Sequence, residues 1–95
     1  MTLSDAATVV VADDVLASEL GSEFVMLNLK DGIYYGLEDV GGEIWKLVQK
    51  PITVGDICSA LVSGYDVDPE RCRRDVVTLL GDLLARGLVQ IRNPV

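Results

Sequence analysis

The sequence predicts an α+β fold because the spacing of its apolar residues changes part-way along the chain. Up to Leu37, apolar and polar residues alternate between short turns, which is typical of antiparallel strands. Beyond Leu37 the apolar residues recur about every 3.6 residues, which is typical of amphipathic helices. A chain of 95 residues has room for one core and no second lobe. We therefore predict a single domain over residues 1–95.

Three strands are predicted in the first third of the chain. They cover Val15–Leu20, residues 23–29 and residues 33–37. A Gly-Ser turn joins the first two, and an Asp-Gly turn ending at Gly32, a pair suited to positive φ, joins the second to the third. Strands joined by such short turns pair in sequential order. We therefore predict a three-stranded antiparallel meander with residues 33–37 at its edge.

Two helices are predicted directly after the meander. The first begins near Asp39, whose side chain is available as a cap, and ends before Pro51, which cannot continue a helix. Thr53 is expected to cap the second, which runs to Gly64. Both carry apolar residues at helical spacing, so each is expected to pack one face on the core.

The third helix has the clearest predicted ends. Asp68 takes the N-cap, Pro69 the first turn, where its missing N–H is harmless, and Gly87 a left-handed C-terminal cap. The flanking segments are less defined. Residues 88–91 form either a short strand or an extended tail, and residues 1–12 either a strand or a flexible docking arm.

Composition excludes several classes of function. The chain has 8 Lys and Arg, 15 Asp and Glu and no His, which gives a formal net charge of −7. Such a chain does not neutralise phosphates, and the arginines of the third helix lack Asn, Gln and Lys neighbours that read bases, so no nucleic acid is expected. No apolar run approaches the roughly 18 residues of a membrane span, and no secretory signal is recognisable. We expect a cytoplasmic protein that does not bind membranes.

Catalysis and metal binding are poorly supported by the residues present. His, the commonest general base, is missing. Cys58 and Cys72 occupy apolar helical positions and match no zinc pattern without His, so they are interpreted as reduced core thiols. Gly41 and Gly42 lack the following Lys and the spacing of a phosphate loop. We therefore predict no catalytic residue, no metal and no cofactor.

The predicted edge strand, residues 33–37, is the best candidate for a binding site. It contains no Pro, Lys or inward-pointing charge, the usual protections against pairing with another strand. Gly36 allows a second backbone to approach closely. Tyr34 and Tyr35 point to opposite faces, so one ring is expected in the core and the other beside a groove. The alternative is that both rings fill or cover the core.

The third helix carries an apolar stripe that spans roughly 160° of its circumference. A helix that packs on one neighbour needs a narrower apolar stripe. The third helix is therefore either deeply buried or makes a second contact, with the sheet or a bound peptide. The stripe consists of Cys72, Val76, Leu79, Leu80 and Leu83, widened by Val77 and Leu84.

Residues 31–48 resemble the PqqD-like family. They show its turn with Gly, aromatic pair, small residue and Leu, followed by Gly and by Ile-Trp on a helix. The resemblance extends from about residue 14 to residue 91 in element order and includes Leu-Leu-x-x-Gly-Leu-Val at residues 83–89. The sequence departs from the common pattern at Gly36, where Ala is usual, and at Glu38-Asp39, where Asn and Pro or Glu are frequent.

The resemblance implies a small winged helix-turn-helix-like domain with a defined task. Such domains, called RiPP recognition elements, bind the leader segment of a ribosomally made precursor peptide and deliver it to modifying enzymes. A chain of this size resembles most the free-standing leader-binding proteins of lasso-peptide biosynthesis. The implied partners are the leader, a separate leader-removing cysteine protease and a cyclase. A pyrroloquinoline quinone-type peptide chaperone, a winged-helix regulator and a degenerate interaction domain of a larger complex are the alternatives.

The resemblance also assigns a binding site. In the family the leader adds as a strand beside the third strand and lies against the third helix. In this sequence the third strand corresponds to residues 33–37 and the facing part of the third helix to residues 73–84. Apolar side chains would line the groove, and two arginines would form ion pairs with carboxylates of the leader. The predicted site residues are Val25, Leu27, Ile33, Tyr34, Tyr35, Gly36, Leu37, Arg73, Arg74, Val76, Val77, Leu80 and Leu84.

Overall fold

The structure, a computed structural model, describes residues 3–21 and 23–92. These residues form six strands and three helices, and the combination confirms the α+β class. The elements in chain order are β1 (Thr8–Val11), β2 (Val15–Leu20), β3 (Glu23–Asn28), β4 (Ile33–Glu38), α1 (Asp39–Leu47), β5 (Ile52–Thr53), α2 (Val54–Gly64), α3 (Pro69–Ala85) and β6 (Val89–Arg92). No helix in the described part of the chain is long and apolar enough to cross a membrane.

Strands β2, β3 and β4 form the predicted antiparallel meander, with β4 at one edge. In the register of the sheet, Leu16 lies opposite Leu27, which lies opposite Tyr34. Gly21 and Gly32 in the two turns have φ values of 67° and 71°, which glycine adopts without strain. Ser22, the second residue of the predicted Gly-Ser turn, lies outside the described residues.

A second sheet joins segments that are far apart in the sequence. In it β1 is the central strand, between β5 and β6, and both pairings are antiparallel. Val9 accordingly lies opposite both Ile52 and Ile91. Residues 8–11 are therefore a strand and not a docking arm, and residues 89–92 are a strand and not a tail. Residues 1 and 2 of the predicted arm lie outside the described part of the chain.

The predicted caps of α2 and α3 are confirmed. The side-chain oxygens of Thr53 and Asp68 each accept a backbone N–H from three residues later, at 3.1 Å in both cases. At the end of α3, Gly87 has φ 72°, and the N–H groups of Gly87 and Leu88 donate to carbonyls of the last turn at 3.1 and 2.9 Å. This is a Schellman ending, and it directs the chain back along the helix into β6.

The start of α1 differs from the prediction. Asp39 does not cap the helix: the N-cap position belongs to Glu38, which makes no side-chain capping hydrogen bond. Asp39 instead has φ 54°, a left-handed conformation that non-glycine residues adopt at a cost of about 1–3 kcal/mol. The strained residue turns the chain sharply, so that α1 packs back on the strand it follows.

The core lies on one face of the meander. On β3, Met26 is fully buried, whereas its neighbours Val25 and Leu27 are only half-buried, because successive side chains point to opposite faces. The face of Met26, here called the inner face, packs against the helices together with Trp45 of α1 and Leu80 of α3. The opposite, outer face of the meander carries Val25 and Leu27.

The strain at Asp39 gives the first prediction. Asp39→Gly is expected to keep or raise the free energy of unfolding, whereas Asp39→Val is expected to lower it by about 1–2 kcal/mol, because a β-branched residue tolerates positive φ least. Urea denaturation of the variants measures both effects. Glu38→Val is the matched control, since Glu38 has an extended φ of −135°. Equal losses for the two valine variants would show that Asp39 is unstrained.

Candidate functional site

The outer edge of β4 offers backbone groups that no described strand pairs with. The N–H of Leu29 donates to the carbonyl of Asp14 at 2.8 Å, which fixes the alternation along β3. Odd-numbered residues of β3 therefore bond to β2 and even-numbered residues to β4. In the register of β3 and β4, this alternation directs the N–H and C=O groups of Tyr34 and Gly36, and the N–H of Glu38, away from β3. The C=O of Glu38, the N-cap residue of α1, accepts the first hydrogen bond of that helix. These three residues form the free edge of the sheet.

Beside the free edge lies a groove between β4 and α3. Tyr35 and Leu37 point to the inner face and form one wall, and the guanidinium of Arg86 lies 4.9 Å from the centre of the Tyr35 ring. A Cβ added to Gly41 of α1 would lie 3.3 Å from Leu37 Cδ2 and 3.8 Å from Leu79 Cδ2. Leu37 and Leu79 therefore approach each other across Gly41, and α3 between Leu79 and Arg86 forms the opposite wall.

Near Leu37 the groove opens into a cleft of about 570 Å³ between α1, the end of α2 and the start of α3. Its floor consists of buried apolar side chains, and exposed apolar side chains lie at its mouth. A cleft of this size and composition is typical of ligand sites. The floor is formed by Ile44, Leu61 and Val76, and the mouth includes Val40, Tyr65 and Val67.

The structure divides the predicted site residues of the sheet between two faces. Tyr35 and Leu37 line the groove, whereas Tyr34 lies on the outer face and is 68% exposed. Val25 and Leu27 lie beside Tyr34 on that outer face. With Leu16 of β2, 58% exposed, they form an apolar surface that no described helix covers. Ile33 and Gly36 are also exposed.

The predicted site residues of α3 lie elsewhere. Val76 and Leu80 are 1% and 0% exposed, so the protein's own core covers both side chains. Val77 and Leu84 are half-buried and share a flank of the helix with Arg73. The structure therefore brings none of the six predicted residues of α3 to the groove wall, and Val76 alone reaches the floor of the adjoining cleft.

Arg73 lies on the flank of α3 that faces the N-terminal segment. Its Nε donates to Asp5 Oδ1 at 2.7 Å, and its Nη2 donates to the carbonyl of Leu3 at 3.3 Å. Arg74, one residue on, is exposed to solvent. The guanidinium of Arg73 thus holds the N-terminal segment, and its contact with a leader carboxylate stays a prediction.

The flank of α3 that does face β4 is different in character. Residues spaced by three or four share a helix face, so Asp75, Leu79, Asp82 and Arg86 form one row. Leu79 and Arg86 mark this row as the wall of the groove. Of this row, the apolar stripe predicted for α3 contains only Leu79, because Asp75, Asp82 and Arg86 are polar and a stripe defined by apolar spacing does not include them.

The two cysteines are free thiols with no feature of a reactive site. Burial raises the pKa of both above the ordinary value of 9.0, and the nearby Cys72 and Asp5 raise that of Cys58 further. Their thiolates are therefore scarce at neutral pH. No group of three or more His, Cys, Asp or Glu among residues 3–21 and 23–92 is placed to hold a metal ion.

The fold and the groove together define a small winged-helix-like domain with a free sheet edge beside its third helix. Residues 23–89 match the family described as "Coenzyme PQQ synthesis protein D (PqqD)". The chain belongs to this PqqD family, as its resemblance indicated. No curated protein matches it in sequence.

Two solved structures are similar to this chain. One is "TbiB1 in Complex with the TbiA(beta) Leader Peptide", 31% identical with a TM-score of 0.80, covering 85% of this chain and 94% of that one. The other is "Lasso peptide synthetase B1 complexed with the leader peptide", with a TM-score of 0.78 over 86% of this chain and 96% of that one. At 21% identity the second demonstrates a shared fold alone.

Leu80 and Leu79 are expected to respond differently to truncation. Leu80→Ala should lower the free energy of unfolding by about 2–5 kcal/mol, because its side chain is completely buried. Leu79→Ala, at the half-buried wall of the groove, should cost about 1 kcal/mol. Denaturant titrations of the two variants measure the difference. Similar losses would mean that Leu79 belongs to the core and not to the groove wall.

The raised pKa values of Cys58 and Cys72 predict slow alkylation of the native protein at pH 7 and faster alkylation above pH 9. As pH rises, the thiols of the unfolded protein lose their protons before those of the folded protein. The protonated thiols therefore contribute fully to the free energy of unfolding below about pH 9, and this contribution declines as pH rises through the folded-state pKa values. Mass spectrometry after iodoacetamide treatment, with and without urea, measures the rates. Equal native and unfolded rates at pH 7 would contradict the assignment.

Proposed function

We propose that this protein binds the leader segment of a ribosomally synthesised precursor peptide and presents it to the enzymes of lasso-peptide biosynthesis. The free edge of β4, with a groove and α3 beside it, is the observation that carries the proposal. Support also comes from the solved structure that is 31% identical to this chain, which is a complex with a leader peptide.

Strand addition supplies the affinity in this proposal. Tyr34 and Gly36 offer their N–H and C=O groups, and Glu38 offers its N–H, to an extended peptide, which becomes a fourth strand of the meander. Alternate side chains of the added strand point to the inner side, where they meet Leu37 and Leu79. Backbone pairing therefore binds the peptide, and the groove selects its register.

The chain itself is proposed to bind and not to catalyse. It lacks His, and burial keeps its two thiols protonated. A separate cysteine protease and a cyclase are the proposed partners. The outer face of the meander, with Leu16, Leu27 and Tyr34 exposed or half-buried, is left free by leader binding and offers them a contact surface. A ribosomal substrate is made in the cytoplasm, where we propose that the protein acts.

A role as a peptide chaperone in pyrroloquinoline quinone synthesis is the second candidate. The description of the matching family favours it. The solved structure that is 31% identical and covers 85% of this chain is a complex with the TbiA(beta) leader peptide. A similarity to one protein with its bound peptide is more specific evidence than a family description, so it favours the first candidate. Both candidates use the same edge of β4, and they differ in which precursor is bound.

Gly36→Pro tests strand addition directly. Proline removes the N–H that Gly36 directs to the free edge without removing one from the pairing with β3, so leader affinity should fall by about tenfold or more while the helices remain folded. The measurement is fluorescence anisotropy with a labelled leader peptide of a lasso-peptide precursor, and circular dichroism monitors folding. A scrambled leader reports non-specific binding.

Two matched variants control this experiment. Gly36→Ala retains the N–H, and its Cβ would have only Phe24 O nearby, at 3.9 Å, so affinity should be nearly unchanged. Ala17→Pro places a proline on β2, at the opposite edge of the meander, and should also leave affinity unchanged. Wild-type affinity in Gly36→Pro would refute addition to β4, and equal losses in both proline variants would point to a general effect on the sheet.

A further inference from the structure

We propose that Asn28 is a positioning residue for peptide binding, whose buried side chain holds the groove between β4 and α3 at a fixed width. The proposal rests on the proposed function and adds to it a residue that the peptide does not touch. Asn28 ends β3 and is 5% exposed, and it is the one polar or charged residue that is buried within the part of the chain that the structure describes. Burying an amide is unfavourable unless its polar atoms are paired, so the partners of Asn28 indicate its role.

The hydrogen-bond partners of Asn28 lie at the two walls of the groove. Its Nδ2 donates to the carbonyl of Arg86 at 2.8 Å, at the end of α3 and 58 residues further along the chain. Its Oδ1 accepts the N–H of Lys30 at 2.9 Å, and its backbone carbonyl accepts the N–H of Gly32 at 2.8 Å, both in the turn that leads into β4. The last carbonyls of a helix have no partner within the helix, so Asn28 completes the end of α3 as well as the turn.

The bond to Arg86 fixes the spacing of the groove at the end away from the cleft. The carbonyl of Arg86 is held by Asn28, and its guanidinium lies 4.9 Å from the centre of the Tyr35 ring on β4. At the other end of the groove, Leu37 and Leu79 approach each other as apolar neighbours. Apolar contact has no preferred direction, whereas a hydrogen bond fixes both distance and direction. The placement of α3 against β4 is therefore set mainly by Asn28.

Loss of this side chain is expected to reduce the fraction of free molecules whose groove has the width that the peptide needs. Asn28 is covered by the protein, so its replacement removes no contact with the peptide. If about one free molecule in ten keeps the native width, the apparent Kd rises about tenfold. The loss then appears in the association rate, whereas a lost contact mainly raises the dissociation rate. The two rate constants therefore distinguish a positioning residue from a contact residue.

Asn28→Leu keeps a side chain of similar size and removes both of its hydrogen bonds. Binding of the labelled leader peptide used for Gly36→Pro should weaken by about tenfold, mainly through the association rate, which stopped-flow fluorescence anisotropy measures. Val9→Ala is the matched control, because Val9 is 0% exposed and lies on β1 in the second sheet. It should lower the midpoint of urea denaturation and leave both rate constants unchanged, since nearly all molecules remain folded.

Asn28→Asp separates the two hydrogen bonds of the side chain. The carboxylate still accepts the N–H of Lys30, but only the protonated carboxyl has a hydrogen to donate to the carbonyl of Arg86. Leader affinity should therefore be roughly tenfold weaker than in the wild type at about pH 8 and should recover at acidic pH, because burial favours the neutral carboxyl. Wild-type protein in the same buffers is the control, since it shares every other charged group near residue 28. Those groups are Lys30, its ion-pair partner Asp14, Asp31 and Arg86.

The outcomes separate this inference from the proposed function. Wild-type rate constants in Asn28→Leu, alongside weaker binding in Gly36→Pro, would overturn the inference and leave the function intact. A loss confined to the dissociation rate, or an equal loss of association rate in Val9→Ala, would overturn it as well. So would parallel pH profiles of Asn28→Asp and the wild type. A leader peptide that does not bind the wild-type protein would remove the proposed function and the inference with it.

Discussion

The position of α3 relative to the meander depends on the buried side chain of Asn28. This residue is 5% exposed, and its Nδ2 donates to the carbonyl of Arg86 at 2.8 Å, while its Oδ1 accepts the N–H of Lys30 at 2.9 Å. A buried amide that lost these partners would cost about 1–3 kcal/mol. The same side chain therefore closes the β3–β4 turn and fixes the end of α3, and with them the width of the groove.

The neighbourhood of Asn28 explains why several sequence features occur together. Gly87 needs its positive φ for the end of α3, and a Cβ there would also lie 3.2 Å from Asn28 Nδ2. Arg86, held through its carbonyl, extends its guanidinium over Tyr35 of the edge strand. The two walls of the groove are thus joined before any peptide arrives. Because the groove is preformed, the protein loses little conformational entropy on binding. Ordering of the peptide accounts for most of the entropic cost.

The elements that the sequence predicted well are those with local causes. The caps of α2 and α3, the turn at Gly32 and the alternation along the meander each depend on residues a few positions apart. The second sheet depends on pairing between Val9, Ile52 and Ile91, which no local pattern signals, so β5 was missed and β1 was left undecided. The strained turn at Asp39 was missed for a related reason, since an acidic residue before a helix ordinarily indicates a cap.

The orientation of α3 shows why the site was harder to predict than the fold. Its apolar stripe has two flanks, and the stripe alone does not say which flank remains open. The contact of Arg73 with Asp5 and Leu3 covers one flank with the N-terminal segment. The other flank, with Leu79 between Asp75 and Asp82, is left facing the free edge of β4. A long-range ion pair thus helps to decide which flank of α3 becomes the groove wall, where carboxylates and arginines alternate around Leu79.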